Sequence, residues 1–400
     1  MPPAEHTVAA ARACMLSAIA PLQSETVPLG AAAGRTLAER ISAARSQPPF
    51  RSAAMDGYGI GAADLGGGAL TVLGEAAAGR PYAGAAPRAG GAVRIFTGAP
   101  VPGGVDVIVP QERARRVADA VYLEAGPQPR SNIREAGVDF AAHAVLAEPG
   151  LRLDARHVAL LAAAGVGAVR VARRPRIAVL ATGDEVVQPG EPASAHQIYD
   201  SVSFGIAASI AEWGGEAVPL PIRPDFEEAI AASAAAALGE TDLLVVVGGA
   251  SVGDYDLVKR SLGRLSLAIA VERIAVRPGR PTWFGRAHGR PVLGLPGNPA
   301  AALVCAQLFL RPLVQAFLGG ATQLARAMAL LQGELPPNGA SESYLRAVAT
   351  HGEDARLAVR ACDNQDTSLV SVFAAANALI VRPPGAPAAQ RGAPVEVLWL

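Results

Sequence analysis

The sequence predicts a multidomain α/β protein: a doubly wound α/β domain, a small mostly β domain, a linking helical segment and a C-terminal β domain. Three observations lead there. The chain has 400 residues, more than one usual domain. Hydrophobic residues make up 51% but aromatics only 4%, so Ala, Val, Leu and Gly must fill the cores, which suits α/β layers better than an aromatic-rich sandwich. Between 175 and 326 apolar strands alternate with helical runs, whereas short β-prone runs broken by Gly and Pro lie on either side.

In chain order, Val8, Ala11, Met15 and Ile19 recur at three- and four-residue steps behind Thr7, a candidate N-cap. They predict an amphipathic helix over 7–20, and residues 1–25 are read as this helix packing on the α/β domain. A short helix is expected over 31–42, and 26–45 joins 141–174, with its helical run "DARHVALLAAAGV", as the linking domain. Residues 46–140 carry "ALTVLGE", "AVRIFTG", "DVIVP" and "AVYLE", the strands of the small β domain. In 175–326, strands are expected at 177–181, 217–222, 243–247, 270–276 and 292–295, with helices near 201–213, 226–238, 254–263 and 299–317. That alternation predicts a parallel sheet with helices on both faces. From 327 to 400, "MALLQGELP", "YLRAVAT", "RLAVRAC", "ALIVRP" and "VEVLWL" read as a C-terminal β domain.

Charge and cysteine usage exclude several classes. Formal net charge is zero, so no global field draws in nucleic acid or an anionic membrane, and anion binding must rest on local arginines or helix N-termini. Cys14, Cys305 and Cys362 form no C-x-x-C, and the six histidines show no ligand spacing, which disfavours zinc and a disulfide framework. No basic, apolar leader opens the chain. Runs such as "PAAALVCAQLFL" fall short of the roughly 18 residues of a membrane span, so a cytoplasmic protein without a membrane partner is expected.

Chemistry-bearing residues cluster where an open parallel sheet binds ligands, beyond its C-terminal strand ends. "VVVGGASVGDYD" follows one expected strand: Gly248, Gly249 and Gly253 let backbone approach a phosphate, Ser251 offers a hydroxyl, and Asp254 or Asp256 offers oxygen to magnesium. It fits neither a Walker loop nor a dinucleotide fingerprint, and such turns also serve ordinary strand-to-helix geometry. "TGDE", Thr182 to Glu185, brings carboxylates to a neighbouring strand end, although the same residues make a respectable helix cap. "VRPGRP" supplies Arg277 and Arg280, which suit an oxyanion or a solvated hairpin. "LPGNP" puts Asn298 and Pro299 at the N-cap and first position of a helix, after Pro296 and Gly297. In the small β domain, Asp56, Thr97, Glu112, Arg134 and Asp139 stand in motifs that are each compatible with simple turns.

Taken in order, "AMDGY", "TGAPVP", "NIREAGVD", "LATGDE", "QIYDS", "GGASVGDYD", "RPGRP" and "LPGNP" resemble the MoeA family of molybdopterin molybdenumtransferases, which includes the E domain of gephyrin. The resemblance spans nearly the whole chain. It implies a homodimer of elongated four-domain subunits, with a MogA-like molybdopterin-binding domain over 175–326 and a C-terminal β-barrel over 327–400. It implies insertion of molybdate into adenylated molybdopterin with magnesium-dependent release of AMP, and the adenylating enzyme of the same pathway as a possible partner. By the same resemblance Asp56 and Thr97 act from the β domain across the dimer interface, and Asp139 matches the family's acidic residue in its third motif. Glu185 and Asp256 become the magnesium and nucleotide contacts, with Thr182, Gly183, Asp184, Gly248, Gly249, Ser251, Gly253, Pro296, Gly297 and Asn298 around the pterin and its phosphates. Arg277, Arg280, Arg346 and Thr367 become the molybdate contacts.

The chain departs from the family pattern in four places. Arg277 and Arg280 stand where the family has lysines, Ala301 where it often has a serine, and Thr367 where it has a serine. The family's "RPEFxR" has thinned to "SESYLR", leaving Arg346. Guanidinium keeps the positive charge but prefers planar, bidentate partners. These changes keep open a pterin-binding or scaffold protein with weakened catalysis, a tungstate-preferring relative and an adenylating relative.

Overall fold

The computed structural model describes residues 5–124, 131–248, 257–352 and 355–400. Its centre is a six-stranded sheet in the order Glu216–Pro219, Arg176–Ala181, Leu243–Val247, Arg290–Leu295, Trp283–Ala287, Ala268–Val271. The first four strands are parallel and the last two antiparallel. Side chains alternate between two cores, as strand geometry requires. Ile177, Val179, Val245, Leu293 and Leu295 face the helices Val202–Glu212 and Pro299–Cys305 and the N-terminal helix Val8–Ser17. Ala178, Leu180, Leu244, Val246 and Val292 face the helices Glu227–Glu240 and Leu257–Gly263. Burial on both faces is why these strands are continuous apolar runs.

Two expectations need correction here. The stretch around 283, for which no strand is expected, is the strand Trp283–Ala287, so the sheet is mixed at one edge. Its signal was masked by the preceding Pro-Gly turn; Trp283 lies flat over Gly294 of the next strand, where a Cβ would fall 2.0 Å from the indole nitrogen. The short helix expected over 31–42 does not form: a single turn at Leu29–Ala31 is followed by the short strand Ile41–Ser42. The helix expected near 299–317 is present as Pro299–Phe317, through a π turn at Ala306–Leu310, and is long enough to cross a membrane. It is 78% buried inside the protein, the signature of a core helix.

Beyond this centre, a sheet of order Val107–Pro110, Gly57–Ile60, Gly91–Ile95, Ala69–Ala76, Ala120–Leu123, Ala114–Val117 surrounds its own small cores. Ser24–Pro28 pairs with Ala168–Ala172 beside the helix Ala155–Ala163, whose N-terminus is closed by a reciprocal Asp154–His157 capping box. C-terminally, Glu342–His351, Leu357–Ala361, Arg326–Leu331, Pro394–Trp399 and Ala378–Arg382 close into a barrel, because Ala378–Arg382 pairs back onto Glu342–His351. A two-residue strand, Val276–Arg277, leaves the α/β region and joins that barrel beside Glu342 and Ser343. This pairing sets Arg277 on the seam between the two units.

Candidate functional site

Two clefts meet at that seam. The first, of about 530 Å3, lies beyond the C-terminal ends of the parallel strands. It gathers Thr182, Gly183, Glu185, Gly248, Gly297 and Asn298 from the expected set and adds Asp200, Ser201, Asp225 and Ser368. Gly248 turns the chain with φ +89°, and a side chain there would collide with the carbonyl of Thr182 at 2.9 Å. Thr182 is 5% exposed and its hydroxyl has no partner among the described residues, so its hydrogen-bonding capacity is open to a ligand. Pro296 is buried just short of the opening, and Asp184 sits on the rim, its Oδ1 accepting from the backbone N–H of Asp225 at 3.1 Å. Gly249, Ser251, Gly253, Asp254 and Asp256 lie outside the described residues.

The electrostatics of this cleft are one-sided. Its described lining includes the carboxylates of Glu185, Asp200 and Asp225 and no lysine or arginine. Asp200 is buried and uses one oxygen to accept from the Ser203 N–H at 2.9 Å, starting the helix Val202–Glu212. Burial, and then the neighbouring charges of Asp184 and Glu185, push the Asp225 carboxyl above its ordinary range. Among the described residues no three acids come close enough to hold a metal ion by themselves, but Glu185 and Asp225 offer neighbouring hard oxygens that a magnesium ion could share with further ligands. Asp225 was not singled out from sequence, yet the rule that identified Glu185 applies to it: it is an acid between the strand Glu216–Pro219 and the helix Glu227–Glu240.

The second cleft, of about 800 Å3, opens between the seam strand and the barrel. Arg277, Arg360 and Arg382 line it together with Glu334, Asp363 and Asp366. The loop through Gln365 to Ser368 is the common wall of the two clefts, Thr367 facing the second and Ser368 the first. A clasp fastens it: Asn298 Nδ2 donates to Thr367 Oγ1 at 2.9 Å, and the Ala300 N–H donates to the Thr367 carbonyl at 2.9 Å. Asn298 does occupy the N-cap position with Pro299 following, but its side chain makes no capping bond, being spent on this clasp. Ala301 is buried in the same first turn.

Two of the expected oxyanion contacts are otherwise engaged. Arg346 is only 1% exposed and does not line either cleft. Its Nη1 donates to the Asp366 carbonyl at 2.9 Å and its Nε to Gln365 Oε1 at 3.3 Å, while Gln365 Nε2 returns a bond to the Arg346 carbonyl. Arg346 therefore braces the shared wall from behind, and burial draws its pKa below the usual arginine value. Arg346→Met is expected to destabilise the protein by about 3 kcal/mol, measured by urea denaturation, because buried acceptors lose their donor. A change under about 1 kcal/mol together with lost molybdate binding would restore the ligand role. Arg280 Nε donates to Glu5 Oε1 at 2.7 Å, its side chain stays largely exposed, and it lines neither cleft.

Asp56 and Thr97 are brought together in the small β domain. Asp56 Oδ1 accepts from the Thr97 N–H at 2.8 Å and from its hydroxyl at 2.7 Å. These two bonds, with Arg94 nearby, hold the Asp56 carboxyl below its ordinary range, so it stays ionised. Arg94 itself is packed between Tyr58 and Phe96 and donates to the Gly57 carbonyl, which stiffens the turn carrying Asp56. Asp139 is exposed, its N–H donating to the Gln47 carbonyl at 3.1 Å. None of Asp56, Thr97 or Asp139 lines the two clefts of its own chain.

Comparison with known proteins adds three findings. Residues 6–165 match the MoeA N-terminal region (domain I and II), 178–316 a probable molybdopterin binding domain, and 328–400 the MoeA C-terminal region (domain IV). The chain is 33% identical over 381 residues to the molybdopterin molybdenumtransferase of Haemophilus influenzae, covering 94% of each chain, and 30% identical over 392 residues to that of Bacillus subtilis, covering 94% of this chain and 90% of the relative. Among solved structures, the molybdopterin biosynthesis moeA protein of Pyrococcus horikoshii OT3 superposes with a TM-score of 0.85 at 25% identity, covering 99% of this chain and all of that one.

Proposed function

Starting from the fact that this chain belongs to the MoeA family, molybdopterin molybdenumtransferases of molybdenum cofactor biosynthesis, we propose that it inserts molybdate into adenylated molybdopterin in the cytoplasm, with magnesium-dependent release of AMP. The observation that carries this reading is the junction of a cation-free, acid-lined cleft with an arginine-bearing one across a single wall. A diphosphate and an oxyanion repel one another, so a site that accepts both must supply positive charge to each separately.

Glu185 and Asp225, with Asp256, are the residues that would hold magnesium. When bound, the ion offsets the negative charge of the phosphoanhydride and of the departing AMP. The chain's own groups do the rest. Thr182 Oγ1 and the backbone at Gly248 and Gly297 receive phosphate oxygens, and at Gly248 a side chain would collide with the Thr182 carbonyl. Arg277 and Arg360 attract molybdate to the other side of the wall, while Thr367 and Asn298 hold that wall so that the pterin sulfurs and the oxyanion face one another. Asp56, ionised and locked to Thr97, is suited to orient a donor or a metal-bound group and not to deliver a proton. The family resemblance assigns Asp56 to the cleft of a partner protomer, with a homodimer as the working unit, and its position outside both clefts of its own chain is compatible with that.

The deciding experiment supplies purified protein with adenylated molybdopterin, molybdate and magnesium. AMP should appear together with material that activates a molybdenum-free apoenzyme. Substrate bound with neither product would refute the proposal and leave a pterin-binding protein; faster turnover with tungstate would reassign the oxyanion.

A further inference from the structure

We infer that a small pocket at the junction of the linking region, the α/β core and the start of the C-terminal region binds a tetrahedral oxyanion of sulfate size and charge, separately from the two clefts. The pocket has a volume of about 150 Å3 and is lined by Arg152, Trp213, Arg311, Pro312, Gln315 and residues 321–324. It shares no residue with either cleft. Measured against the roughly 30 Å3 share of a liquid water, it holds a tetrahedral dianion with a few waters and excludes a nucleotide.

The pocket is assembled by close backbone approach. Gly150, with φ +84°, seats its turn against the chain leaving the long apolar helix: a Cβ there would lie 2.8 Å from the Gly319 carbonyl. Two residues on, Arg152 Nη2 donates to the Glu212 carbonyl at 2.6 Å, at the end of the helix Val202–Glu212. Gln315 ties the same helix end from the other side, Nε2 donating to the Trp213 carbonyl at 2.9 Å, and its own carbonyl receives the Gly320 N–H. Arg311 directly follows the π turn Ala306–Leu310, a distortion that recurs at functional sites.

What remains unfilled is positive charge. Arg311 has one weak neutral partner, Gln307 Oε1 at 3.4 Å, and Arg152 has the carbonyl already named. Among the described residues neither guanidinium pairs with a carboxylate, and no acidic residue lines the pocket. A guanidinium has five N–H donors, so most of their capacity is open, and two such forks facing one pocket match an oxyanion. The neutral lining residues Thr322 and Gln323 add polar groups. An occupant would pin three regions of the chain to one another and favour the assembled state.

The test uses sodium selenate, a tetrahedral dianion with an anomalous signal, on the full chain with ionic strength held by chloride. Crystals should show a selenium peak within hydrogen-bonding distance of both Arg152 and Arg311. On an Arg277→Gln background, which removes the oxyanion contact of the substrate cleft, calorimetry should still show saturable binding, and Arg152→Gln and Arg311→Gln should each weaken it roughly tenfold or more. If a glutamine variant fails to fold, Arg152→Lys and Arg311→Lys retain charge but lose the fork and should weaken binding measurably. Displacement of selenate by phosphate identifies an inorganic phosphate site; displacement by molybdate identifies a second site for the substrate. No peak in the pocket, unchanged binding in both pocket variants, or no displacement by sulfate would overturn the inference.

Discussion

Asp225→Asn should reduce magnesium-dependent AMP release by roughly 100-fold or more while making the metal-free protein more stable at neutral pH. Both effects come from one cause. Burial, with the nearby charges of Asp184 and Glu185, raises the folded-state pKa of Asp225 above its unfolded value. A raised carboxyl contributes stability that is fully present below the unfolded pKa and is lost as pH rises through the folded one. At pH 7 the wild type therefore carries an ionised, repelled carboxylate, and asparagine removes it. Thermal unfolding without metal should show the variant melting higher at pH 7, with the difference shrinking below the ordinary carboxyl value of about 3.9. Magnesium should raise the wild-type melting temperature and raise that of the variant much less. A variant that turns over normally, or melts lower at pH 7, would remove Asp225 from the metal set.

Asp56→Ala should lower turnover by roughly 100-fold without lowering the amount of pterin bound, and its defect should be complemented by a protomer that is defective elsewhere. If each active site joins the cleft of one protomer to Asp56 of the other, a heterodimer of Asp56→Ala with Glu185→Gln contains one intact site and one doubly defective site. An equimolar statistical mixture would then recover about a quarter of wild-type activity, although either variant alone is nearly inactive. Sites confined to single chains would recover none. The substitution should also cost little stability, since Asp56 is only half-buried and its exposed partner Thr97 can turn to water.

Much of this site could be read before any fold was known, for local reasons. Thr182, Gly183, Glu185 and Gly248 follow buried apolar strands, and a parallel sheet leaves such strand ends open to ligands. The same rule extends to Asp225, which was passed over because the strand before it, Glu216–Pro219, is short and only half-buried and so carries a weak pattern. Trp283–Ala287 was missed for a related reason: a strand interrupted by Gly285 and preceded by Pro and Gly looks like a turn until a neighbouring strand pairs with it.

The sequence by itself determined the order of the motifs, the alternation of strands and helices in the α/β core, and which carboxylates and glycines emerge at its strand ends, because these depend on residues close together along the chain. Only the tertiary structure decided which charges remain available. Arg280 is drawn to Glu5, 275 positions away, and Arg346 is buried against a loop 20 residues on, whereas no lysine or arginine among the described residues lines the cleft around Asp225. Neutralisation and burial are settled by contacts between distant segments, so a charged residue that matches a motif can become a brace, and one outside every motif can be left free to bind.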